Sequence, residues 1–448
     1  MLRSALTYLE TNWINRPDRK PLVIRGARQV GKTWLVHELG KNTRREKIEI
    51  NFERNPHLKS LFNSNEPWMI MQHLEVYFGK YIDPKSSLLF LDEIQDAPEV
   101  LAKLRWFYEE LPELPVIAAG SLLEFTLQDH AFSMPVGRIT YLHLEPLSFE
   151  EFIMALGEEQ LVRYLQQLMP PFSIPDAIHH KLQDHLRMYL QIGGMPAVIL
   201  TYLNQGIYDA ITIQEDLLAT YRDDFFKYKG RFDVQKLDTL LKAIPVQFGE
   251  KFTASKTDST IQSSAAKQIL ALFNMARLAH MVKHSAGNHV PLAAEVKEKS
   301  FKQIFLDVGL ANRLLGGLSV DLTGGIAEQL VGQMLRCLFP LYVEPALYYW
   351  HREEKGANAE IDYLIEHKGH VIPIEVKAGS TGTLKSLHYF MHEKKLSIAV
   401  RINDDLPSIT PISTKLSDGR EVLYTLLSVP FYLTRQIPRL LDTLMQHQ

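Results

Sequence analysis

Hydrophobic and polar positions in the first third of the chain alternate between two rhythms. Leu2, Leu6, Leu9 and Trp13 recur at helical spacing and predict a helix within residues 1–20, closed by a basic, proline-containing turn. Short apolar runs then predict strands at 22–26, 47–53, 87–93, 115–121 and 139–144. Helical stretches at 31–40, 67–80 and 98–110 lie between the first four of them. Strand and helix alternating at this rate predict an α/β fold with a parallel sheet covered on both faces.

Two of the apolar runs end in chemistry. Residues 26–33 fit the pattern G-x-x-x-x-G-K-[ST] at every fixed position, directly after a strand and at the start of a helix. A loop that wraps phosphate must turn successive N–H groups inward, and Gly26 and Gly31 adopt the required angles without a Cβ clash. Gly26, Ala27, Arg28, Gln29, Val30, Gly31, Lys32, Thr33 and Trp34 form the candidate nucleotide-binding set, with ATP and Mg2+ as the expected ligands. Lys32 reaches the β- and γ-phosphates, Thr33 ligates Mg2+, and the helix N-terminus adds its positive end. The run at 87–93 ends in Asp92 and Glu93, a Walker B strand that sets Asp92 beside Mg2+ and lets Glu93 polarise the attacking water.

Two further positions stay open. Ser121 ends the strand at 115–121, where a hydroxyl senses the γ-phosphate; the run Ser121, Leu122, Leu123, Glu124 also has capping-box spacing, and both readings are compatible. Arg138 precedes the strand at 139–144 and is either a γ-phosphate arginine, for its own or a neighbouring subunit, or a solvated loop residue.

These segments, together with residues 145–152, 189–196 and 302–309 and the pairing of Glu360, Ile361 and Asp362 with Ile374, Glu375, Val376 and Lys377, resemble AAA-type ATPases of bacteria and archaea that carry a C-terminal domain of unknown function. The resemblance covers nearly the whole chain. It implies a P-loop ATPase domain at 1–150, a helical region at 151–235, a winged-helix-like region at 236–318 and a restriction-endonuclease-like α/β domain at 319–448.

Read without the family, residues 150–250 show helical periodicity, broken by the tight turn at Gly193 and Gly194, and residues 221–227 read as a solvated helix with an inward aromatic stripe. A polar, Ser/Thr-rich segment at 251–264, a helix at 265–282 and a hairpin-like Ala286, Gly287 and Asn288 suit a winged helix, which serves either DNA binding or protein packing. Residues 360–377 read as a β-hairpin. With Lys368 and Gly369 as a two-residue loop, His367 pairs with His370, Asp362 faces Glu375, and Lys377 shares their side of the sheet. An opposed acidic pair is unfavourable unless a divalent cation or a lysine sits between the carboxylates. Asp362, Glu375 and Lys377 therefore read as a D…E-x-K nuclease set holding Mg2+, and the resemblance implies Glu328, on the preceding helix where such folds often provide another acid, as a further metal ligand. Pro373 predicts an edge strand or a bulge, and 380–386 a loop before a helix at 384–390.

Composition narrows the setting. At 448 residues, two or three domains are expected. A net charge of -3 argues against a generally basic nucleic-acid coat, while local patches stay open. The single cysteine, Cys337, excludes an internal disulfide and a cysteine-based zinc site, and reads as a small core residue. No apolar run approaches membrane-spanning length, so a cytoplasmic protein without a membrane partner is expected. Two functions follow: an ATP-driven enzyme acting on DNA or another nucleic acid, or an ATP-controlled switch whose C-terminal domain only binds nucleic acid or a protein. A homo-oligomer fits either.

Overall fold

A computed structural model of the chain describes residues 2–121, 123, 135, 137–226, 233–257, 261–317, 322–352, 359–379 and 383–446. Leu122 and Glu124 of the capping box, Lys227, residues 258–260 of the Ser/Thr-rich segment and 380–382 of the loop at 380–386 lie outside them. The chain forms two compact units: Met1–Pro146 with Met275–Arg277 and Phe339–Glu344, and Leu147–Asn274 with Leu278–Leu338 and Pro345–Gln448.

The first unit contains α1 (Ser4–Tyr8), β1 (Leu22–Arg25), α2 (Lys32–Asn42), β2 (Glu46–Asn51), α3 (Pro67–Phe78), β3 (Ser87–Asp92), α4 (Pro98–Glu110), β4 (Val116–Ala119) and β5 (Thr140–His143). Its five strands are all parallel in the order β2-β3-β4-β1-β5. Alternation along β3 fills both faces. Leu89 and Leu91 join the core with α3 and α4, while the Phe90 ring meets His37 of α2 on the other side. Each such fully buried side chain is worth roughly 1.5–3 kcal/mol, which holds the acidic end of β3 in place. The N-terminal helix is shorter than predicted. It begins at Ser4 and passes into a π turn, Leu9–Trp13, leaving Leu2 exposed and turning Arg3 inward.

His143, at the end of β5, is buried, and its backbone N–H donates to Leu341 O at 2.7 Å. Burial, then the charges of Arg277 and Arg25, lower its imidazole to about 4. A neutral buried histidine stabilises the fold above its unfolded pKa, and that stability is lost as pH falls from about 6.5 through about 4. Acidification across this window should cost the first unit about 2–3 kcal/mol from this residue alone. Unfolding of His143→Gln should lose that part of the pH dependence; an unchanged slope would contradict it.

The second unit opens with α5 (Phe149–Ala155), whose Ser148 and Glu151 form a reciprocal capping box, and continues through α6 (Glu159–Gln167), α7 (Asp176–Ile192), α8 (Pro196–Gln205), α9 (Ile207–Phe226), α10 (Val234–Val246) and α11 (Ser263–Met275). Then follow β6 (Ala279–Ser285), β7 (Val296–Phe305), α12 (Val308–Leu314), α13 (Gly324–Arg336), β8 (Leu347–His351), β9 (Glu360–His367), β10 (His370–Val376), α14 (Lys385–Lys394), β11 (Ile398–Asn403), β12 (Ser408–Lys415), β13 (Glu421–Pro430) and α15 (Ile437–Gln446). The eight strands form one mixed sheet in the order β12-β13-β11-β10-β9-β8-β6-β7. The hairpin of the 236–318 segment thus continues the sheet of the 319–448 segment.

Two motifs distant in sequence meet at Asp307. Its buried carboxylate accepts from Gly194 N (2.6 Å), from Leu310 N at the start of α12 (3.1 Å) and from Gln333 Nε2 of α13 (3.1 Å). Gly193, at φ +79°, has no room for a Cβ against this carboxylate. Asp307→Ala should lower stability by about 3–5 kcal/mol, because it strands three buried donors at once. Urea unfolding reads this directly, and a loss below about 1 kcal/mol would contradict it.

Candidate functional site

Parallel register brings the candidate residues of the first unit to one edge of the sheet. Ala119 of β4 pairs with Ile24 of β1 on one side and with Asp92 of β3 on the other. The loop after β1, the acidic end of β3 and Ser121 therefore emerge together at the strands' carboxyl ends, where open α/β sheets bind ligands.

The loop has the backbone of an anion cradle. Gln29 and Gly31 take positive φ (64° and 95°), and α2 starts at Lys32. Gly26 is required for space: a Cβ there would lie 2.5 Å from Leu144 O. Arg3 braces the loop from outside, donating to Val30 O (3.3 Å) and Glu145 O (2.7 Å). Lys32 Nζ donates to Gly26 O (3.0 Å) and Ala27 O (2.9 Å), poised over the loop it would share with phosphate.

Opposite stand hard oxygen donors. Thr33 Oγ1 lies 3.5 Å from Asp92 Oδ2, which also accepts from Asn51 Nδ2 at 3.2 Å. Burial, then the neighbouring charge of Glu93, pushes the Asp92 carboxyl up to about 6. A carboxylate so short of compensation beside a threonine hydroxyl suits Mg2+, which takes oxygen ligands. Glu93 sits at φ +50° and accepts from Gln95 Nε2 at 2.6 Å. The Gln95 amide in turn lies against Gly120, leaving no space for a side chain there. Asn51, Gln95 and Arg3 were not singled out in the sequence. Asn51 comes to the site by register, ending β2 directly opposite Asp92.

Arg138 requires a correction. Parallel pairing of Leu22 with Thr140 sets it at the amino edge of the sheet, a strand length of about 13 Å from the loop. There its Nε donates to Glu109 Oε1 at 2.6 Å. It is not a γ-phosphate residue for its own chain.

In the second unit the hairpin register is the simple one. His367 pairs with His370 and Tyr363 with Ile374 across a turn with positive φ at Lys368 and Gly369, so counting on sets Asp362 opposite Glu375. Pro373 lies neither at an edge nor in a bulge. β10 runs between β9 and β11, and its ladder to β11 begins only at Ile374, so Pro373 breaks no pairing there. Lys377 Nζ donates to Glu375 Oε1 at 2.6 Å, and Asp362 Oδ2 accepts from Val376 N at 2.7 Å.

The cation beside these carboxylates comes from elsewhere. α13 packs across β7, β8 and β10, and Lys302 of β7, 3% exposed, donates to Glu328 Oε2 at 2.9 Å. It also pairs with Glu360 and lies 4.0 Å from Asp362 Oδ1. Glu328 is thus held by a lysine, and among the described residues no three His, Cys, Asp or Glu side chains are gathered for a metal ion. This corrects the expected trio of Asp362, Glu375 and Glu328. Among the described residues, buried Glu375 Oε2 is left without a hydrogen-bond partner. Burial, then the charge of Asp362, raises Glu328 and Glu375 well above the ordinary carboxylate range.

A family model described as an AAA domain matches residues 18–153. With the parallel sheet and its loop, that match decides the first unit. Residues 18–153 are an AAA-type P-loop domain. Two domains of unknown function, DUF8612 and DUF4143, match residues 183–320 and 323–409. No curated protein matches the chain. Among solved structures, a signal transduction ATPase with numerous domains and a tetratricopeptide repeat sensor, from Pyrococcus horikoshii, is similar over 75% of this chain and 45% of its own, at 12% identity and TM-score 0.26. The ORC2 protein of Aeropyrum pernix, in ADPNP-ADP complexes, is similar over 70% of this chain and 90% of its own, at 13% identity and TM-score 0.31. The ORC1 protein of the same organism, in complex with DNA, is similar over 70% and 91%, at 12% identity and TM-score 0.26. No helix among the described residues is long and apolar enough to cross a membrane.

Proposed function

We propose that the chain is an ATP-hydrolysing AAA-type ATPase whose nucleotide cycle drives a nucleic-acid-related C-terminal region. The observation that carries it is the convergence of the loop at Lys32 with Thr33, Asp92, Glu93 and Ser121 on one sheet edge. Thr33 and Asp92 would hold Mg2+, which supplies charge neutralisation for the transferred phosphoryl group. Lys32 and the loop N–H groups bind the phosphates, Glu93 orients and polarises the attacking water, and Ser121 reads the γ-phosphate. Arg138 would serve only the site of a neighbouring copy, which makes a homo-oligomer part of the reading.

The hairpin register of Asp362, Glu375 and Lys377 supports a restriction-endonuclease-like fold in the C-terminal region and, with it, nuclease chemistry. A second reading, a cytoplasmic ATP switch whose C-terminal region binds nucleic acid or a protein without cutting, is favoured by the Lys302 ammonium among the carboxylates. Cleavage of single- and double-stranded DNA and RNA, with Mg2+ or Mn2+ and with or without ATP, separates the two. Cleavage lost in Asp362→Ala, and ATP-dependent only while Lys32 is present, is expected of the coupled enzyme. No cleavage alongside intact ATP hydrolysis would overturn it in favour of the switch.

A further inference from the structure

We propose that Lys302 is a built-in cation of the second unit's acidic cluster, neutralising Glu328, Glu360 and Asp362 by covalent attachment, and that it holds the divalent affinity of the Asp362 and Glu375 pair low. The inference deepens the second reading above and rests on it.

The geometry is that of a finished cation site. The ammonium bridges Glu328 of α13 and Glu360 of β9, and stands 4.0 Å from Asp362. The Tyr349 ring of β8 lies 5.3 Å from the same nitrogen, and Tyr349 is itself fixed by a 2.5 Å hydrogen bond to Ser300. Carboxylates from two different elements and an aromatic face thus converge on one buried lysine. Its location on β7 gives it a structural independence that Lys377 lacks: Lys377 shares a strand end with Glu375 and answers only that carboxylate at hydrogen-bond distance.

The arrangement is anchored rather than incidental. Tyr363 Oη donates to Glu328 O at 2.7 Å, and Gly332 of α13 leaves the room that this hydroxyl needs. The next residue of α13, Gln329, accepts from Phe305 N (2.7 Å) and donates to Phe305 O (2.9 Å), fixing α13 against the end of β7 three residues beyond Lys302. The helix that supplies Glu328 and the strand that supplies Lys302 are therefore locked together. Coulomb repulsion between an ammonium and an incoming divalent ion at this range, and the loss of Glu328 as a ligand, both weaken metal binding.

Mn2+ binding to the full chain, read as loss of the free-ion electron paramagnetic resonance signal without nucleotide, tests this. Wild type should show only millimolar uptake dependent on Asp362. Lys302→Met should bind at least about tenfold more tightly, the change that one charge at this distance commonly makes in a proton affinity, and Asp362→Asn should abolish the gain. Because Lys302→Met leaves carboxylates uncompensated, Lys302→Met with Glu328→Gln removes one charge of each sign as a folding control and should also bind more tightly than wild type. Micromolar Asp362-dependent uptake by wild type, or folded variants that bind no more tightly, would overturn the assignment. The cleavage assay fails or succeeds separately: micromolar uptake without cleavage overturns the Lys302 assignment and leaves the switch reading standing.

Discussion

Lys32→Ala is expected to weaken ATP binding by about 10²–10⁴-fold, the worth of two charge-assisted contacts to the β- and γ-phosphates at roughly 1.5–3 kcal/mol each. The fold should survive. Lys32 is only part-buried, and its contacts to Gly26 O and Ala27 O belong to the loop rather than to the core. Calorimetric titration with Mg2+ and ATP measures the change, with thermal unfolding as the control. A variant that binds ATP within threefold of wild type would remove the loop at 26–33 from the nucleotide site. A variant that loses the fold would instead assign the lysine a structural role that its surroundings do not suggest.

Glu93→Gln should separate binding from chemistry. Glutamine keeps the volume, and the side chain contributes no phosphate contact, so affinity for ATP should stay within a few-fold. Hydrolysis should fall by about 10²–10⁴-fold, the usual contribution of a positioned general base. Gln95 sharpens this expectation. Its amide holds Glu93 Oε2 at 2.6 Å and so orients the carboxylate, whose other oxygen is the one to meet water. Equal loss of affinity and turnover would move Glu93 from the chemistry to the architecture of the site.

What was legible in the sequence is local, and what was missed is topological. Residues 26–33 are one continuous string, so Gly26, Lys32 and Thr33 declare their spacing without reference to the fold. The hairpin register was legible for a similar reason: a two-residue turn at Lys368 and Gly369 sets the opposed pairs from His367 and His370 to Tyr363 and Ile374, and counting on sets Asp362 opposite Glu375. Lys302 was not legible, because β7 is the last strand of the sheet order and reaches the cluster only through its long side chain and the packing of α13. The hairpin reading asked for a cation or a lysine between Asp362 and Glu375; Lys302, from a strand about sixty residues upstream, stands beside Asp362 at 4.0 Å while pairing with Glu328 and Glu360.

Two misplacements share a cause in strand direction and length. Arg138 precedes its strand, and in a parallel sheet the residue before a strand stands at the edge opposite the residue after one. Pro373 looked like an edge marker because proline cannot donate to a ladder. The rule holds per ladder rather than per strand: the paired positions between β10 and β11 begin only at Ile374 with Val400, so the missing N–H of Pro373 interrupts no bond of that ladder. Asn51 and Gln95 belong to a third kind. Asn51 is an ordinary polar residue until β2 and β3 are paired, which sets its amide on Asp92, and Gln95 meets Glu93 only through the local turn that follows β3.

The most direct measurement is a single-turnover experiment: the full-length protein in excess over radiolabelled ATP with Mg2+, sampled for ADP over time, beside Glu93→Gln. The expected result is conversion of bound ATP to ADP by the wild type and retention of intact, bound ATP by the variant. Bound ATP that stays intact in the wild type, or that is converted equally fast in both proteins, would contradict an ATPase built on Lys32, Asp92 and Glu93.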